Sequence, residues 1–475
     1  MYIKGGFFMT QINWMEEVLK RKEDFLKQTI ELLNIESVYD ESTITKEAPM
    51  GKGINEALTY MLTLGEKDGF TPKNVDGLAG HLEMGSGEEL VGILCHLDVV
   101  PAGDGWSHDP FDAIIKDGNI YARGAIDDKG PTMAAYFAMK IVKELGLPIN
   151  KRVRMILGTD EESQWRCVDH YFEKEEMPTM GFAPDADFPI IYAEKGILDI
   201  KFNQKLTSED VGNEFKLISF SSGRRVNMVP DYAKAVISGT KFDLEAFTNH
   251  ISELGCKASA SEENGQQVLE VEGVSVHGME PDKGKNAGIA LASFLNQFGF
   301  NEHAASFLKF IVENFKGDSR GKNLGVAFND DITGDLTINL GIMQYEDQKG
   351  GTFGLTLRYP VTTDIQSVIT TLTDRGNDYG FEFNEIKNST PHHVPKDHPL
   401  IQTLQKVYEE QTGEEATLLT IGGGTYARSL SAGVAFGPLF LGKPEVAHQK
   451  DEYAEIDDLL KATAIYAQAI AELVK

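Results

Sequence analysis

The spacing of apolar residues changes along the chain and predicts alternating helices and strands. An amphipathic opening helix is predicted by apolar residues at helical spacing: Trp14, Leu19, Leu26, Ile30 and Leu33. Residues 91–95 then form a continuous apolar run, typical of a parallel strand covered on both faces. Residues 131–145 predict a helix with proline in its first turn, and residues 152–158 predict the next strand. This alternation predicts an α/β domain with a mostly parallel sheet flanked by helices.

The pattern shifts between residues 195 and 387 toward alternating strands and amphipathic helices. Residues 336–344 and 352–359 flank a glycine-containing connector and predict an antiparallel hairpin. The chain ends in a helix with one apolar face: Leu460, Ala464, Ala467, Ala471 and Val474. We therefore predict a first domain, residues 1–194 and 388–475, interrupted by an inserted α+β domain over residues 195–387. The insert is long enough for two subdomains of about 100 residues each.

Composition narrows the class of partner. The 475 residues include 45 basic and 73 acidic ones, for a formal net charge of -28. This charge repels phosphate backbones and anionic membrane surfaces, so we expect no nucleic-acid and no membrane partner.

Cysteine usage and the N-terminus predict a cytoplasmic protein. Cys95, Cys167 and Cys256 are odd in number and widely spaced, which favours unpaired thiols in a reducing compartment. The apolar run within residues 1–8 is too short for a signal peptide or a membrane span. Because Met9 precedes the first helical pattern, residues 1–8 are either an upstream-start extension or a disordered end.

A histidine and an aspartate close the first apolar strand. His96 and Asp98 are two positions apart, and in an extended backbone such residues point to the same side. A carboxylate held against one ring nitrogen fixes the histidine tautomer and raises its basicity, which suits a metal ligand. The competing interpretation is a polar strand end that leads into Pro101, and for an isolated H-x-D motif it has the greater weight.

Further acidic residues follow predicted strands or precede the predicted helix, where open α/β sheets place their ligand sites. They are Asp127, Asp128, Glu161, Glu162 and Asp185. Each alone is more often a solvated turn, but together with His96 they supply the donors of a metal site. Histidine with carboxylates suits zinc, manganese or cobalt, whereas calcium and magnesium favour oxygen ligands alone. The chain has no CxxC pair and no HExxH motif, which excludes zinc-finger and zincin interpretations.

Five motifs in chain order carry a family resemblance: HLDVVPAGDGW, ARGAIDDKGP, GTDEES, APDADFP and VAHQKDEY. They resemble the ordered motifs of the two-metal aminopeptidase, aminoacylase and carboxypeptidase G metallopeptidases. With TIGGGTYAR near the C-terminus, they are most similar to the PepV-like dipeptidases of that family. The resemblance spans nearly the whole chain and implies a catalytic domain, formed by residues 1–194 and 388–475, with residues 195–387 as an inserted lid.

The resemblance assigns a role to each motif residue. It implies two divalent ions, most simply Zn²⁺ with Mn²⁺ or Co²⁺ as alternatives, held by His96 and Asp185, by Glu162 and His448, and by Asp127 as the bridge. Asp98 would be the partner of His96, and Glu161 the general base that acts on a metal-activated water. Spacing alone does not separate the roles of Glu161 and Glu162. The peptide bond after the bridging aspartate is expected to be cis.

The inserted domain is expected to complete the site. His277, in GVSVHGMEP, matches the family histidine that reaches from the lid to polarise the substrate carbonyl and help stabilise the oxyanion. Asn227 and Arg358 match lid residues that contact substrate, and Arg358 suits a bidentate grip on a free carboxylate. A structural histidine and a strand-surface arginine are the alternatives.

The loop IGGGTYAR has two interpretations. A triple glycine can be only a flexible turn, and it carries no phosphate-loop signal. In the resembled family this loop lies beside the substrate, where glycines permit a close backbone approach. We therefore expect substrate contacts from Gly423, Gly424 and Arg428.

The resemblance implies hydrolysis of dipeptides with a free N-terminus, because a lid that holds both ends of the substrate leaves little further room. A monomer is expected, since the large lid replaces the partner subunit that supplies the reaching histidine in relatives with smaller lids. Two alternatives stay open. One is an N-acyl-amino-acid deacylase or carboxypeptidase with the same metals, and the other is a metal- or peptide-binding protein without catalysis, which would not need Glu161.

Overall fold

The computed structural model describes residues 12–206 and 215–475. Residues 1–8, for which the sequence leaves two interpretations, lie outside this part. The chain forms two compact units. Unit 1 contains residues up to 192, residues 393–419 and residues 425–475, and unit 2 contains residues 193–392 and 420–424. The insert predicted from the sequence covers residues 195–387.

The α-helices are α1 Trp14–Leu19, α2 Lys22–Leu33, α3 Lys52–Lys67, α4 Lys129–Glu144, α5 Arg166–Lys174, α6 Leu244–Glu253, α7 Ala287–Leu295, α8 Glu302–Phe315, α9 Ile365–Asp378, α10 Pro399–Thr412 and α11 Ile456–Leu473. Short 3-10 helices occupy Glu41–Thr43, Pro281–Lys283 and Tyr426–Ser429.

The strands are β1 Thr71–Val75, β2 Ala79–Met84, β3 Leu90–His96, β4 Ile114–Lys116, β5 Asn119–Tyr121, β6 Arg152–Gly158, β7 Met180–Ala183, β8 Ala186–Asp187, β9 Ile190–Glu194, β10 Gly196–Gln204, β11 Phe215–Ser222, β12 Tyr232–Gly239, β13 Lys257–Glu263, β14 Gln266–Glu272, β15 Asn329–Asp330, β16 Gly334–Asp335, β17 Thr337–Glu346, β18 Gly350–Tyr359, β19 Phe381–Ser389, β20 His392–His393, β21 Leu418–Ile421, β22 Gly433–Ala435, β23 Pro438–Leu439 and β24 Tyr453–Glu455.

The large sheet of unit 1 has the order β1-β2-β6-β3-β7-β22-β9. Its centre is parallel, because β3 runs parallel to both β6 and β7, and β22 runs parallel to β7. Strands β1 and β2 extend one edge in antiparallel fashion. This mixed sheet, flanked by helices, confirms the predicted α/β class.

Apolar runs decide which elements form the core of unit 1. Every residue of β3 is buried, as a continuous apolar run predicts for a central parallel strand. Helices α4 and α11 pack against each other, and both are buried on most of their surface. A Cβ at Gly130 would lie 2.0 Å from the carbonyl oxygen of Ala125, so the first turn of α4 requires glycine there.

One opening helix was predicted from residue 14 to residue 33. The structure has two helices there, α1 and α2, so the prediction of a continuous helix is wrong. Arg21 lies at the break, where its guanidinium donates to the carbonyl of Glu17 at 2.7 Å and to Glu144 at 2.8 Å. The break turns α2 so that Phe25 and Thr29 are buried, while Leu19 remains 50% exposed.

Unit 2 contains an eight-stranded sheet with the order β13-β14-β12-β11-β17-β18-β10-β19. One half is formed by β11–β14 with α6 and α7, and the other by β10 and β17–β19 with α8 and α9. The predicted hairpin corresponds to β17 and β18, which pair antiparallel. A core rich in phenylalanine joins the strands of both halves to helices.

Among residues 12–206 and 215–475, no helix combines the length and the hydropathy that crossing a membrane requires.

Candidate metal centre

The carboxyl ends of three adjacent parallel strands meet in unit 1. Strand β3 lies between β6 and β7. His96 is the last residue of β3, Glu161 and Glu162 follow β6, and Asp185 follows β7. Because parallel strands end at the same edge of a sheet, these residues come from distant parts of the sequence to one place.

Asp127, in the loop before α4, lies between two histidines. Its Oδ1 is 3.0 Å from Nε2 of His96, and its Oδ2 is 2.9 Å from Nε2 of His448. Nε2 of His96 is also 3.7 Å from Oδ1 of Asp185. Nε2 of His448 is 3.0 Å from Oε1 of Glu162. One carboxylate therefore lies between two histidines, each of which is also close to one further carboxylate.

Asp128 supports the backbone of the site. The peptide bond that joins it to Asp127 is cis, as the resemblance implied. Its Oδ2 accepts hydrogen bonds from the backbone N–H of His96 at 3.2 Å and from the hydroxyl of Thr132 at 3.1 Å. Burial, with a further effect of the Asp185 carboxylate, raises the pKa of Asp128 well above its ordinary value. Asp128 therefore fixes the end of β3.

The backbone selects the tautomer of His96. Its Nδ1 lies 2.9 Å from the carbonyl oxygen of Asp98, so Nδ1 carries the proton and donates it. Nε2 then directs a lone pair at Asp127 and Asp185. His96 is fully buried, so a lone pair opposite carboxylate oxygens requires a cation or a proton between them. This is the arrangement of a metal-binding imidazole.

The carboxylate of Asp98 has a role that the sequence did not predict. It lies beside the ring of His96 as expected, with Oδ1 3.6 Å from Nδ1, although the carbonyl oxygen of Asp98 is closer to Nδ1 at 2.9 Å. Its role as the partner of His96 stays a prediction. Oδ1 accepts the backbone N–H of Glu161 at 3.2 Å, and Oδ2 accepts that of Glu162 at 3.0 Å. Asp98 is buried, so these charge-assisted bonds hold the turn that carries both glutamates.

Glu161 and Glu162 join different groups of donor atoms. Donor atoms of Glu161, His96 and Asp185 lie within 4.8 Å of one another, and so do those of Glu162, His96 and Asp127. Burial raises the pKa of Glu161 well above its ordinary value, and it also raises the pKa of Glu162. A carboxyl group with a raised pKa can accept a proton and return it near neutral pH.

The donor set fits divalent cations. Hydrogen bonds that His448 donates to Asp127 and Glu162 raise its pKa to about 10, and burial raises the pKa of Asp185 to about 6. The first shift shows that a positive charge is favoured beside Asp127 and Glu162, and the second shows that a buried negative charge at Asp185 is costly without a cation. Imidazole nitrogens with carboxylate oxygens suit zinc, manganese or cobalt. The residues present therefore fit two ions that share Asp127.

A buried aspartate closes the turn of the two glutamates. Asp160 accepts hydrogen bonds from Nε of Arg166 at 2.7 Å, from its Nη2 at 2.9 Å and from its backbone N–H at 3.0 Å. No role for Asp160 was predicted from the sequence. Its position inside GTDEES is the only signal there, and it is a weak one because aspartate is common in turns.

Tyr426 is a second residue that the motifs did not single out. Its ring meets that of His96 edge to face, with centroids 6.0 Å apart. Its hydroxyl lies 3.1 Å from Sγ of Cys167. A Cβ at Gly158 would lie 1.9 Å from the same hydroxyl, so the end of β6 requires glycine. Tyr426 therefore packs His96 against the end of the neighbouring strand.

In unit 2, His277, Asn227 and Arg358 lie in one region. The carbonyl of Asn227 accepts the backbone N–H of Gly278 at 2.7 Å. Arg358 is on β18 and 5% exposed. Partial burial and the nearby cation of Arg358 both lower the pKa of His277. The ring is therefore neutral near pH 7.

The backbone also sets the tautomer of His277. The N–H of Met279 donates to its Nδ1 at 3.1 Å. In the neutral ring the proton is then on Nε2, which makes Nε2 a donor. A donor of this kind is what oxyanion stabilisation requires.

The residues of the IGGGTYAR loop that were predicted to contact substrate belong to different units. Residues 420–424 belong to unit 2, and residues from 425 onward belong to unit 1. A Cβ at Gly423 would lie 4.0 Å from the sulfur of Met279. Arg428 lies in the 3-10 helix Tyr426–Ser429. Substrate contacts of Gly423, Gly424 and Arg428 stay predictions.

The fold and the ordered motifs agree with one peptidase family. The family model described as "Peptidase family M20/M25/M40" matches residues 92–472. Because this match covers most of the chain, the protein belongs to that family, which confirms the resemblance found in the motifs. It is therefore a peptidase of the metallopeptidase class predicted from the sequence.

Relatives extend the similarity over the full length. The chain is 55% identical over 466 residues to "Putative dipeptidase YtjP" of Bacillus subtilis (strain 168), covering 98% of this chain and 100% of that protein. A protein of Staphylococcus epidermidis (strain ATCC 12228 / FDA PCI 1200), named "Putative dipeptidase", is 44% identical, covering 97% of this chain and 99% of that protein.

Solved structures show the same fold at low identity. Human carnosine dipeptidase 1 aligns with a TM-score of 0.57 at 14% identity, covering 97% of this chain and 98% of that one. Aminoacylhistidine dipeptidase of Vibrio alginolyticus aligns with a TM-score of 0.58 at 13% identity, covering 95% and 96%.

Proposed function

We propose that this protein is a two-metal dipeptidase that cleaves the peptide bond of dipeptides with a free N-terminus. The observation that carries the proposal is the position of Asp127, whose two oxygens lie against two different histidines, each of which forms a set with one further carboxylate. A single bridging carboxylate between two such sets suits a pair of divalent ions. When bound, the ions would polarise the substrate carbonyl and make the attacking water more acidic.

Glu161 would take the proton from the attacking water and deliver it to the leaving amine. Asp98 holds the backbone N–H of Glu161, which keeps the base in place. His277, neutral and with its proton on Nε2, would donate a hydrogen bond to the developing oxyanion. Arg358 would bind the free carboxylate at the C-terminal end of the substrate.

Two lines of evidence support dipeptides over other substrates of the same chemistry. Relatives that match nearly the whole chain are named as dipeptidases. A buried arginine beside His277 suits a carboxylate close to the scissile bond. An N-acyl-amino-acid deacylase or carboxypeptidase would use the same donors, so substrate assays must separate them.

The experiment is a panel of dipeptides, tripeptides and N-acetyl amino acids assayed with Zn²⁺-, Mn²⁺- and Co²⁺-loaded enzyme. We expect rapid hydrolysis of dipeptides and loss of activity when their amino group is acetylated. A requirement for the acyl group would identify a deacylase instead. Vigorous tripeptide cleavage would contradict a site that holds both substrate ends.

Glu161→Ala tests the general base and separates an enzyme from a binding protein. In the proposed assignment Glu161 is the base and not a ligand. The variant is therefore expected to retain both metal ions, held by His96 and Asp185, by Glu162 and His448, and by Asp127. Its turnover should fall by about 10²- to 10⁴-fold, the usual contribution of a general base. Metal content by mass spectrometry and dipeptide turnover are measured on the same sample. Hydrolysis at the wild-type rate would contradict the assignment.

As part of the same proposal, the enzyme is a cytoplasmic monomer. Cys95, Cys167 and Cys256 are all free thiols buried in the structure, which fits a reducing compartment. Light scattering coupled to gel filtration tests the oligomeric state, and a mass of twice 52.4 kDa would contradict the monomer.

A further inference from the structure

A buried ion pair outside the donor set connects loops of the candidate metal centre. Arg123 is 1% exposed and Glu452 is 0% exposed, and Nη1 of the arginine lies 2.6 Å from Oε2 of the glutamate. Both residues lie inside motifs, ARGAIDDKGP and VAHQKDEY, yet neither is a metal ligand. They are separated by 329 positions in the sequence, so the pair ties distant segments together.

The glutamate holds the loop of the bridging aspartate. Oε1 of Glu452 accepts the backbone N–H of Ile126 at 3.0 Å and the backbone N–H of Asp127 at 3.3 Å. The backbone carbonyl of Glu452 accepts the N–H of Ala122 at 3.1 Å. Three contacts thus fix the segment that leads into Asp127, and two of them use the side chain of Glu452.

The arginine holds two further loops. Its Nη2 donates to the carbonyl of Ala102 at 3.2 Å and lies 3.5 Å from the carbonyl oxygen of His448. Its guanidinium lies over the ring of Trp106, 5.2 Å from the ring centroid. These contacts place the loop after His96 and the loop of His448 against the same guanidinium.

His448 needs such support. Its side chain is 51% exposed, and its backbone has φ of 62°, a left-handed conformation that non-glycine residues seldom adopt. Residues in this conformation persist where their surroundings hold them. The carbonyl contact with Arg123 is one such restraint on an otherwise exposed ligand.

We propose that the Arg123–Glu452 pair positions Asp127 and His448 so that both can bind the same metal ion. A buried ion pair adds little to stability on average, because the cost of removing two charges from water offsets their attraction. The pair therefore matters more for the placement of neighbouring residues than for the stability of the fold. The inference rests on the proposed two-metal function, since it concerns the placement of two of the implied ligands. Arg123 and Glu452 are positioning residues and touch neither substrate nor metal.

The test is a titration of metal-free protein with Co²⁺, followed by the visible absorption bands of the bound ion. Glu452→Ala and Arg123→Met should each weaken binding of one of the two ions by about 10- to 100-fold, the usual effect of losing a partner that orients a ligand. Arg123→Lys keeps the charge but loses the fork of donors, so its affinity should lie between that of Arg123→Met and the wild type. The matched control is Arg154→Met. Arg154 is 6% exposed, and its guanidinium on β6 pairs with Glu83 on β2 at 2.6 Å.

Circular dichroism at each stage establishes that the variants are folded, and Arg123→Lys and Glu452→Gln take the place of any truncation that does not fold. The proposal is overturned if the folded variants bind both ions as tightly as the wild type, or if Arg154→Met weakens binding equally. A wild-type protein that fails to take up two ions would contradict the proposed function, and with it this inference. The titration therefore distinguishes the two failures, and it does not depend on activity.

Discussion

Replacing Asp98 with alanine removes the acceptor of two backbone N–H groups in the turn of Glu161 and Glu162. A hydrogen bond to a charged group contributes about 1.5–3 kcal/mol, so the two together hold the turn with about 3–6 kcal/mol. Without Asp98, part of this energy no longer holds Glu161 and Glu162 in position. We expect metal affinity to fall by about 10- to 100-fold. Turnover should fall by about 100-fold or more, because a displaced base loses its alignment with the attacking water.

The assay combines Co²⁺ titration with dipeptide kinetics at saturating metal. Asp68→Ala is the matched control, because Asp68 accepts from Tyr136 at 2.5 Å and from Lys140 at 2.8 Å, away from the centre. It should lose stability but keep its metal affinity and turnover. If Asp98→Ala binds both ions normally and turns over at the wild-type rate, the geometric argument for Asp98 is refuted.

Two further predictions concern Arg358 in unit 2 and His81 in unit 1. Arg358→Met should raise KM for dipeptides by about 100-fold, equivalent to about 3 kcal/mol of lost charged hydrogen bonding, while dipeptide amides should change little; equal effects on both would exclude carboxylate binding. Burial lowers the pKa of His81 to about 3, and its Nδ1 accepts the hydroxyl of Tyr171 at 2.7 Å. A lowered histidine pKa stabilises the fold above the unfolded pKa of about 6.5, and this stability is lost as pH falls toward 3. Through this histidine the wild-type protein should lose about 2 kcal/mol of unfolding free energy between pH 7 and pH 5, and His81→Asn should not show that loss. The measurement is urea denaturation of metal-free protein. Parallel pH curves for variant and wild type would contradict it.

Periodicity was sufficient for elements whose environment is uniform. The apolar run at residues 91–95 predicted β3, and residues 152–158 predicted β6 over the same bounds that the structure gives. The hairpin of β17 and β18 was also predicted within two residues at each end. In the opening segment helical structure was predicted, but the helix break was missed, and Leu19 of the predicted apolar face is exposed. At that break Arg21 bonds to Glu144, a contact 123 positions away that no local pattern reveals.

The residues of the candidate site also differ in how far the sequence alone predicts them. The rule that ligands lie at the carboxyl ends of parallel strands is enough to group His96, both glutamates and Asp185 from the sequence alone. Asp127 was also among these candidate donors, but only the motif resemblance gave it the bridging role. His448 lies in a loop 286 positions from Glu162, so only the resemblance assigned it. The contacts of Asp98, Arg123 and the turn amides involve backbone atoms, which sequence patterns do not specify.

The most direct test of the account is anomalous diffraction, at the zinc edge, from crystals of zinc-loaded protein. We expect two peaks on either side of the Asp127 carboxylate, one between His96 and Asp185 and the other between Glu162 and His448. A single peak, or zinc bound elsewhere with these donors left free, would contradict a two-metal centre bridged by Asp127.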